Sequence, residues 1–130
     1  MNTSTGPNGV ILFAHGARDP AWAEPFRRIA EHLERRAPDL LLELAFLEFI
    51  PPDLGAAARL LTSRGARRIE IVPLFLGPGG HLRGELPGLA DSIVDELPGV
   101  EVRIAPAAGE DDLVIEALAG YALRRAGTPP

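Results

Sequence analysis

The sequence predicts an α/β fold, a parallel sheet of four strands with helices on both faces. Three observations carry that expectation. Short apolar runs alternate with amphipathic stretches along nearly the whole chain. Three of the four apolar runs contain β-branched residues, which suits strands. Glycine, proline and aspartate fall between the segments, where turns and helix caps need them.

The segments follow in order. Val10 to Ala14 reads as the first strand. Trp22, Phe26, Ile29 and Leu33 then recur at helical spacing, opposite Glu24, Arg28, Glu31 and Arg35, so Trp22 and Phe26 are expected in the core. Pro25 either delays or kinks that helix. Leu40 to Phe46 reads as a second strand, although leucine-rich. Asp53 caps a second helix through Leu54, Ala57, Leu60 and Leu61, closed by Gly65. Ile69 to Phe75 is the third strand. Pro87 suits a first helical turn and breaks an interior, which places the third helix at Pro87 to Leu97 and leaves Gly77 to Leu86 as a glycine-rich loop. Val100 to Ile104 is the fourth strand, and a last helix runs from about Asp111 to Arg124. Right-handed crossovers with one reversal give a flavodoxin-like strand order of 2-1-3-4. A single domain is expected over residues 9–126, with flexible ends at 1–8 and 127–130.

Composition excludes several classes. Apolar residues make up 46% of the 130, enough for a packed core. The formal charge is -5 and the arginine pairs are scattered, so neither nucleic acid nor an anionic membrane is expected as a partner. There is no cysteine, which removes disulfides, thiolate-held metals and a cysteine nucleophile. No apolar run approaches the roughly 20 residues that span a bilayer. Residues 1–9 lack the pattern of a signal peptide, so a cytoplasmic location is expected.

In open parallel sheets, ligands bind beyond the carboxyl ends of the strands, where the winding reverses. The first and third strands flank that point. One ends in Ala14-His15-Gly16-Ala17-Arg18-Asp19, the other in a run from Leu76 through Gly77, Gly79, Gly80, His81, Leu82 and Arg83 to Glu85. The second strand adds Glu48 at the same edge, followed by Phe49. Two imidazoles and a carboxylate without thiolates suit a divalent ion of borderline softness: cobalt, nickel, iron or zinc. Gly77, Gly79 and Gly80 would let a flat ligand come close to the backbone. The third histidine, His32, lies among charges and reads as a solvated helix residue. Taken singly, His15, His81 and Glu48 could each be ordinary loop residues; their joint placement at one edge is what favours function. Nucleotide cradles (G-x-x-x-x-G-K-[ST], G-x-G-x-x-G) and the G-x-S-x-G elbow are missing from the sequence. A phosphatase using His15 as nucleophile is disfavoured, because Ala14 stands where arginine is usual.

The runs Ile11–Pro20, Ala45–Phe49 and Val72–His81, followed by Glu85-Leu86-Pro87, resemble the sirohydrochlorin cobaltochelatases and their iron and nickel relatives, the class II chelatases. The resemblance spans nearly the whole chain and implies one half of the chelatase fold, paired as a homodimer where longer relatives fuse two copies. It implies insertion of a divalent ion into sirohydrochlorin, in cobalamin- or siroheme-type tetrapyrrole biosynthesis. Cobalt comes first among the ions, with iron and nickel as alternatives; the ion is a substrate, and no permanently bound cofactor is expected. The metal-binding histidines carry over to His15 and His81, and an acidic active-site residue to Glu48. Gly79, Gly80, Phe49 and Leu82, with Leu76, become candidates for contact with the macrocycle. Arg18 and Arg83 become candidates for its carboxylates, and Glu85 for orienting His81. Relatives more often read H-G-S-R where this chain has Ala17, which removes a hydroxyl from the site edge. A rival from another class is a carrier that binds metal or tetrapyrrole on the same fold without turnover.

Overall fold

A computed structural model describes residues 6–77 and 79–128; the side chains of His81 and Arg83 lie outside the described residues. Four parallel strands, β1 (Gly9–Ala14), β2 (Leu41–Phe46), β3 (Arg68–Pro73) and β4 (Glu101–Ile104), lie in the order β2-β1-β3-β4. The expected topology is therefore the observed one. Four helices alternate with them: α1 (Glu24–Arg36), α2 (Leu54–Ser63), α3 (Gly80–Glu96) and α4 (Asp112–Arg125). Among the described residues no helix is long and apolar enough to cross a membrane.

All of β1 is buried, because it is the strand covered on both faces. On one face Ile11 and Phe13 join Ile69 and Ile71 against Leu54, Ala57 and Leu61 of α2 and Leu86, Ala90 and Ile93 of α3. On the other, Val10 and Leu12 pack with Ala30 and Leu33 of α1. At the foot of the sheet the Asn8 side chain binds the Arg67 and Arg68 amides at 3.1 and 3.0 Å and the Gly65 carbonyl at 3.4 Å. Asn8 is therefore tied to the fold, where a flexible N-terminal segment had been expected.

The helix caps follow the sequence reading. Asp53 accepts the Ala56 amide at 2.9 Å and Asp111 those of Leu113 and Val114. Gly65, at φ 104°, turns the chain out of α2 in a conformation that side chains disfavour. Asp53→Ala should cost about 1 kcal/mol of stability, read as a lower denaturation midpoint with an unchanged slope. Pro25 delays α1: a 3-10 turn at Pro20–Ala23 comes first, and Pro25 sits in the first α-helical turn.

Three expectations are corrected. Helix α3 begins at Gly80, not at Pro87, and Pro87 lies inside it. An interior proline costs roughly 3 kcal/mol. Leu82, Leu86 and Ile93 are all at least 92% buried on the face toward the sheet, and each burial contributes roughly 1.5–3 kcal/mol, which together outweighs that cost. The glycine-rich loop thus shrinks to the few residues between β3 and Gly80. Trp22 is 45% exposed and outside the core, because it belongs to the 3-10 turn and not to α1; Phe26 is half-buried beside Phe46. Leu60, counted on the inner face of α2, is exposed. Helix α4 buries none of its side chains.

Candidate functional site

The three strands at the reversal point end almost level. Ala14 pairs with Phe46 and Phe13 with Pro73, and the ladder runs on through Leu47 N to Ala14 O (2.9 Å) and Leu74 N to Phe13 O (2.7 Å). In-register parallel strands of equal length must deliver their next residues to one edge. His15 and Glu48 are those residues. The Glu48 carboxylate lies with one oxygen 3.4 Å from His15 Nδ1 and the other accepting the Gly16 amide at 3.1 Å. A carboxylate can only accept, so the tautomer with its proton on Nδ1 satisfies this contact and leaves the Nε2 lone pair to a metal or a proton. The pair is open to solvent, with side-chain exposures of 51% for His15 and 38% for Glu48.

Local backbone makes this contact possible. A Cβ on Gly16 would overlap the Glu48 carbonyl oxygen, so only glycine lets the two loops approach this closely. Phe49, the next residue, takes φ 68°, a left-handed conformation that is unusual for a bulky side chain. It presents its ring to solvent at 63% exposure, with the Arg18 guanidinium 5.4 Å from the ring centre. Arg18 and Phe49, both singled out from the sequence, therefore meet at the rim of the same edge.

Two further residues support His15 and escaped the sequence reading. The indole N–H of Trp22 donates to the His15 carbonyl at 2.6 Å. Phe75 lies against the imidazole with ring centres 4.6 Å apart, and Phe13 packs edge-on to Phe75 at 5.9 Å. Phe75 was legible only as a strand-end apolar residue, and seven residues separate Trp22 from His15 without any motif signal. The loop after β3 is held from below: Gly109 N donates to Phe75 O at 2.9 Å, and a side chain at Gly109 would overlap the Leu76 carbonyl.

The remaining candidates divide. Leu76 is 69% exposed at the rim. Leu82 is 8% exposed and belongs to the core, although it also lines an apolar groove of ≈ 270 Å³ with Pro73, Phe75, Leu86, Pro87 and Ile104. Gly79 caps α3, and Gly80 and His81 open it. Glu85 is on its exposed side. Among the described residues no three His, Asp or Glu side chains cluster as a ready metal cage. A larger groove of ≈ 330 Å³ between α2 and α3 carries the Arg59–Glu96 ion pair and no histidine.

A four-stranded parallel sheet with a His–carboxylate pair at its reversal point defines a small α/β protein with an open polar edge where such sheets bind ligands. The CbiX family model matches residues 9–123. The sirohydrochlorin cobaltochelatase of Saccharolobus solfataricus is 34% identical over 116 residues, covering 85% of this chain and 89% of that protein. A CbiX protein of Marinobacter aquaeolei VT8 superposes with a TM-score of 0.75 at 30% identity, over 92% of this chain and 97% of that one. The sirohydrochlorin chelatase SirB of Bacillus subtilis subspecies spizizenii, solved in complex with cobalt, shares the fold with a TM-score of 0.75 at 21% identity. This chain covers 47% of the SirB chain and 85% of its own length. The chain belongs to the CbiX family, within the class II chelatases.

Proposed function

We propose that this protein inserts a divalent metal ion into sirohydrochlorin, with cobalt as the first candidate and iron or nickel as alternatives. The observation that carries the reading is the His15–Glu48 pair, in which the carboxylate holds Nδ1 and leaves Nε2 as the donor atom, at the edge where a parallel sheet binds ligands. The cobaltochelatase name of the Saccharolobus relative and the cobalt in the SirB structure support the substrate and the metal.

Insertion breaks two pyrrole N–H bonds and forms bonds from the ring nitrogens to the metal, with no change of oxidation state. Two protons must leave the ring as the ion sheds its waters. His15, joined by His81 from the first turn of α3, holds the ion at the ring face and takes up pyrrole protons. An imidazole suits both tasks because its neutral ring nitrogen can either bind a metal or accept a proton. Glu48 balances the charge that His15 acquires and passes protons to solvent. Phe49, Leu76 and the groove beside Phe75 and Leu82 meet the macrocycle, which the backbone at Gly79 and Gly80 lets come close. Arg18 and Arg83 bind its carboxylates by charge-assisted hydrogen bonds, and Glu85 steadies His81. The open edge presents one side of a cleft, and a second copy of the chain supplies the other, so the working unit is a cytoplasmic homodimer.

Absorbance of the protein mixed with sirohydrochlorin and Co²⁺, Fe²⁺ or Ni²⁺ in turn tests this. The expected result is a faster spectral shift to the metallated ring than in a protein-free blank, with the rates ranking the metals. Tight binding with rates equal to the blank would replace the enzyme with a carrier.

A further inference from the structure

The turn after Glu48 holds a bulky residue in a conformation that side chains disfavour. Phe49 has φ 68°, and the Ile50 amide donates to the Glu48 carbonyl at 2.8 Å across it. A hydrogen bond that spans one residue at positive φ makes a γ-turn of the rare, strained kind. Glycine is the residue such backbone favours, so phenylalanine here lowers the stability of the fold. The turn is fixed from outside, by the Gly16 backbone against the Glu48 carbonyl and by the Gly16 amide on the Glu48 carboxylate. The ring recovers little of that loss inside the protein. Phe49 is 63% exposed and joins none of the buried clusters.

Its neighbour on the rim is as little committed to the fold. The Arg18 guanidinium lies 5.4 Å from the Phe49 ring centre, and among the described residues it pairs with no carboxylate. A guanidinium held against a ring keeps its N–H donors for other partners, and their fork fits a carboxylate. An aromatic face kept outside at a cost, beside a cation without an anion, matches a flat conjugated ligand with carboxylates on its periphery. We propose that Phe49 and Arg18 act as one element that selects the macrocycle, separately from the metal. The ring stacks on the ligand plane and the guanidinium takes a peripheral carboxylate, while His15 and Glu48 meet the ion. This rests on the sirohydrochlorin function proposed above and adds the residues that decide which ring enters.

The full chain is titrated with sirohydrochlorin alone and with Co²⁺ alone, and its thermal melt is recorded. Phe49→Leu keeps an apolar side chain without the π face and should weaken sirohydrochlorin binding about 10-fold. Phe49→Tyr keeps the face and should stay within about 3-fold of wild type. Arg18→Gln should also weaken sirohydrochlorin about 10-fold, through the lost charge-assisted bonds. Co²⁺ affinity should stay within about 3-fold of wild type in all three, since none of these changes removes a donor atom of the pair. Phe49→Gly should melt about 3 °C or more above Phe49→Ala, the reverse of the order at an ordinary φ. Sirohydrochlorin binding undiminished in both Phe49→Leu and Arg18→Gln would overturn this inference and leave the chelatase function standing. So would Phe49→Gly melting below Phe49→Ala, or Co²⁺ and sirohydrochlorin affinities falling together. A wild type that binds no sirohydrochlorin would overturn the function and this inference with it. Should a Phe49 variant fail to fold, Arg18→Gln, at an exposed side chain, decides.

Discussion

His15→Ala is expected to slow metal insertion by about 10²–10⁴-fold, the range a positioned proton acceptor contributes. The loss should appear in the rate of the spectral shift at saturating sirohydrochlorin and metal. Stability should change by no more than about 0.5 kcal/mol, because the ring is half exposed and its partners keep other contacts. Glu48 still accepts the Gly16 amide in the variant, and Phe75 still packs on Phe13. Fold and function therefore separate cleanly at this position. Full insertion activity in a folded His15→Ala protein would sink the assignment of the site. His81→Ala is the companion variant, with the same direction expected and the same absorbance readout.

Gly16→Ala is expected to disturb the site through the backbone alone. The added methyl would overlap the Glu48 carbonyl, so the loops after β1 and β2 must move apart. Forcing a methyl group into a filled space costs about 1–3 kcal/mol, measurable as a lower denaturation midpoint. The same shift draws the carboxylate away from His15 Nδ1, already at the long end of hydrogen bonding at 3.4 Å. Insertion should fall further than the folded fraction does. A variant that lost stability but kept the wild-type rate per folded molecule would show that the Glu48–His15 contact is dispensable.

Much of the fold was legible because local chemistry and tertiary packing agree there. The buried β1 reads as a continuous apolar run, Asp53 and Asp111 read as caps, and Gly65 reads as a stop; each is a property of a few neighbouring residues. Pro87 shows where that logic ends. Its local preference is to start a helix, and only the placement of Leu82 and Leu86 against the sheet reveals a helix that already encloses it. Trp22 fails for a related reason: its spacing fits an apolar helix face, yet the 3-10 turn rotates it outward to meet the His15 carbonyl.

The same division runs through the site. By itself the sequence determined the α/β class, the strand order and the two residues His15 and Glu48 at one edge, because strand ends follow from periodicity and the edge follows from topology. Only the tertiary structure decided that the Glu48 carboxylate meets His15 at Nδ1, and that a side chain at Gly16 would overlap the Glu48 carbonyl. It also decided that Phe75 backs the imidazole and that α4 stands unburied. These are contacts between residues tens of positions apart, set by how loops and helices pack across space, and no short window of sequence encodes such a distance.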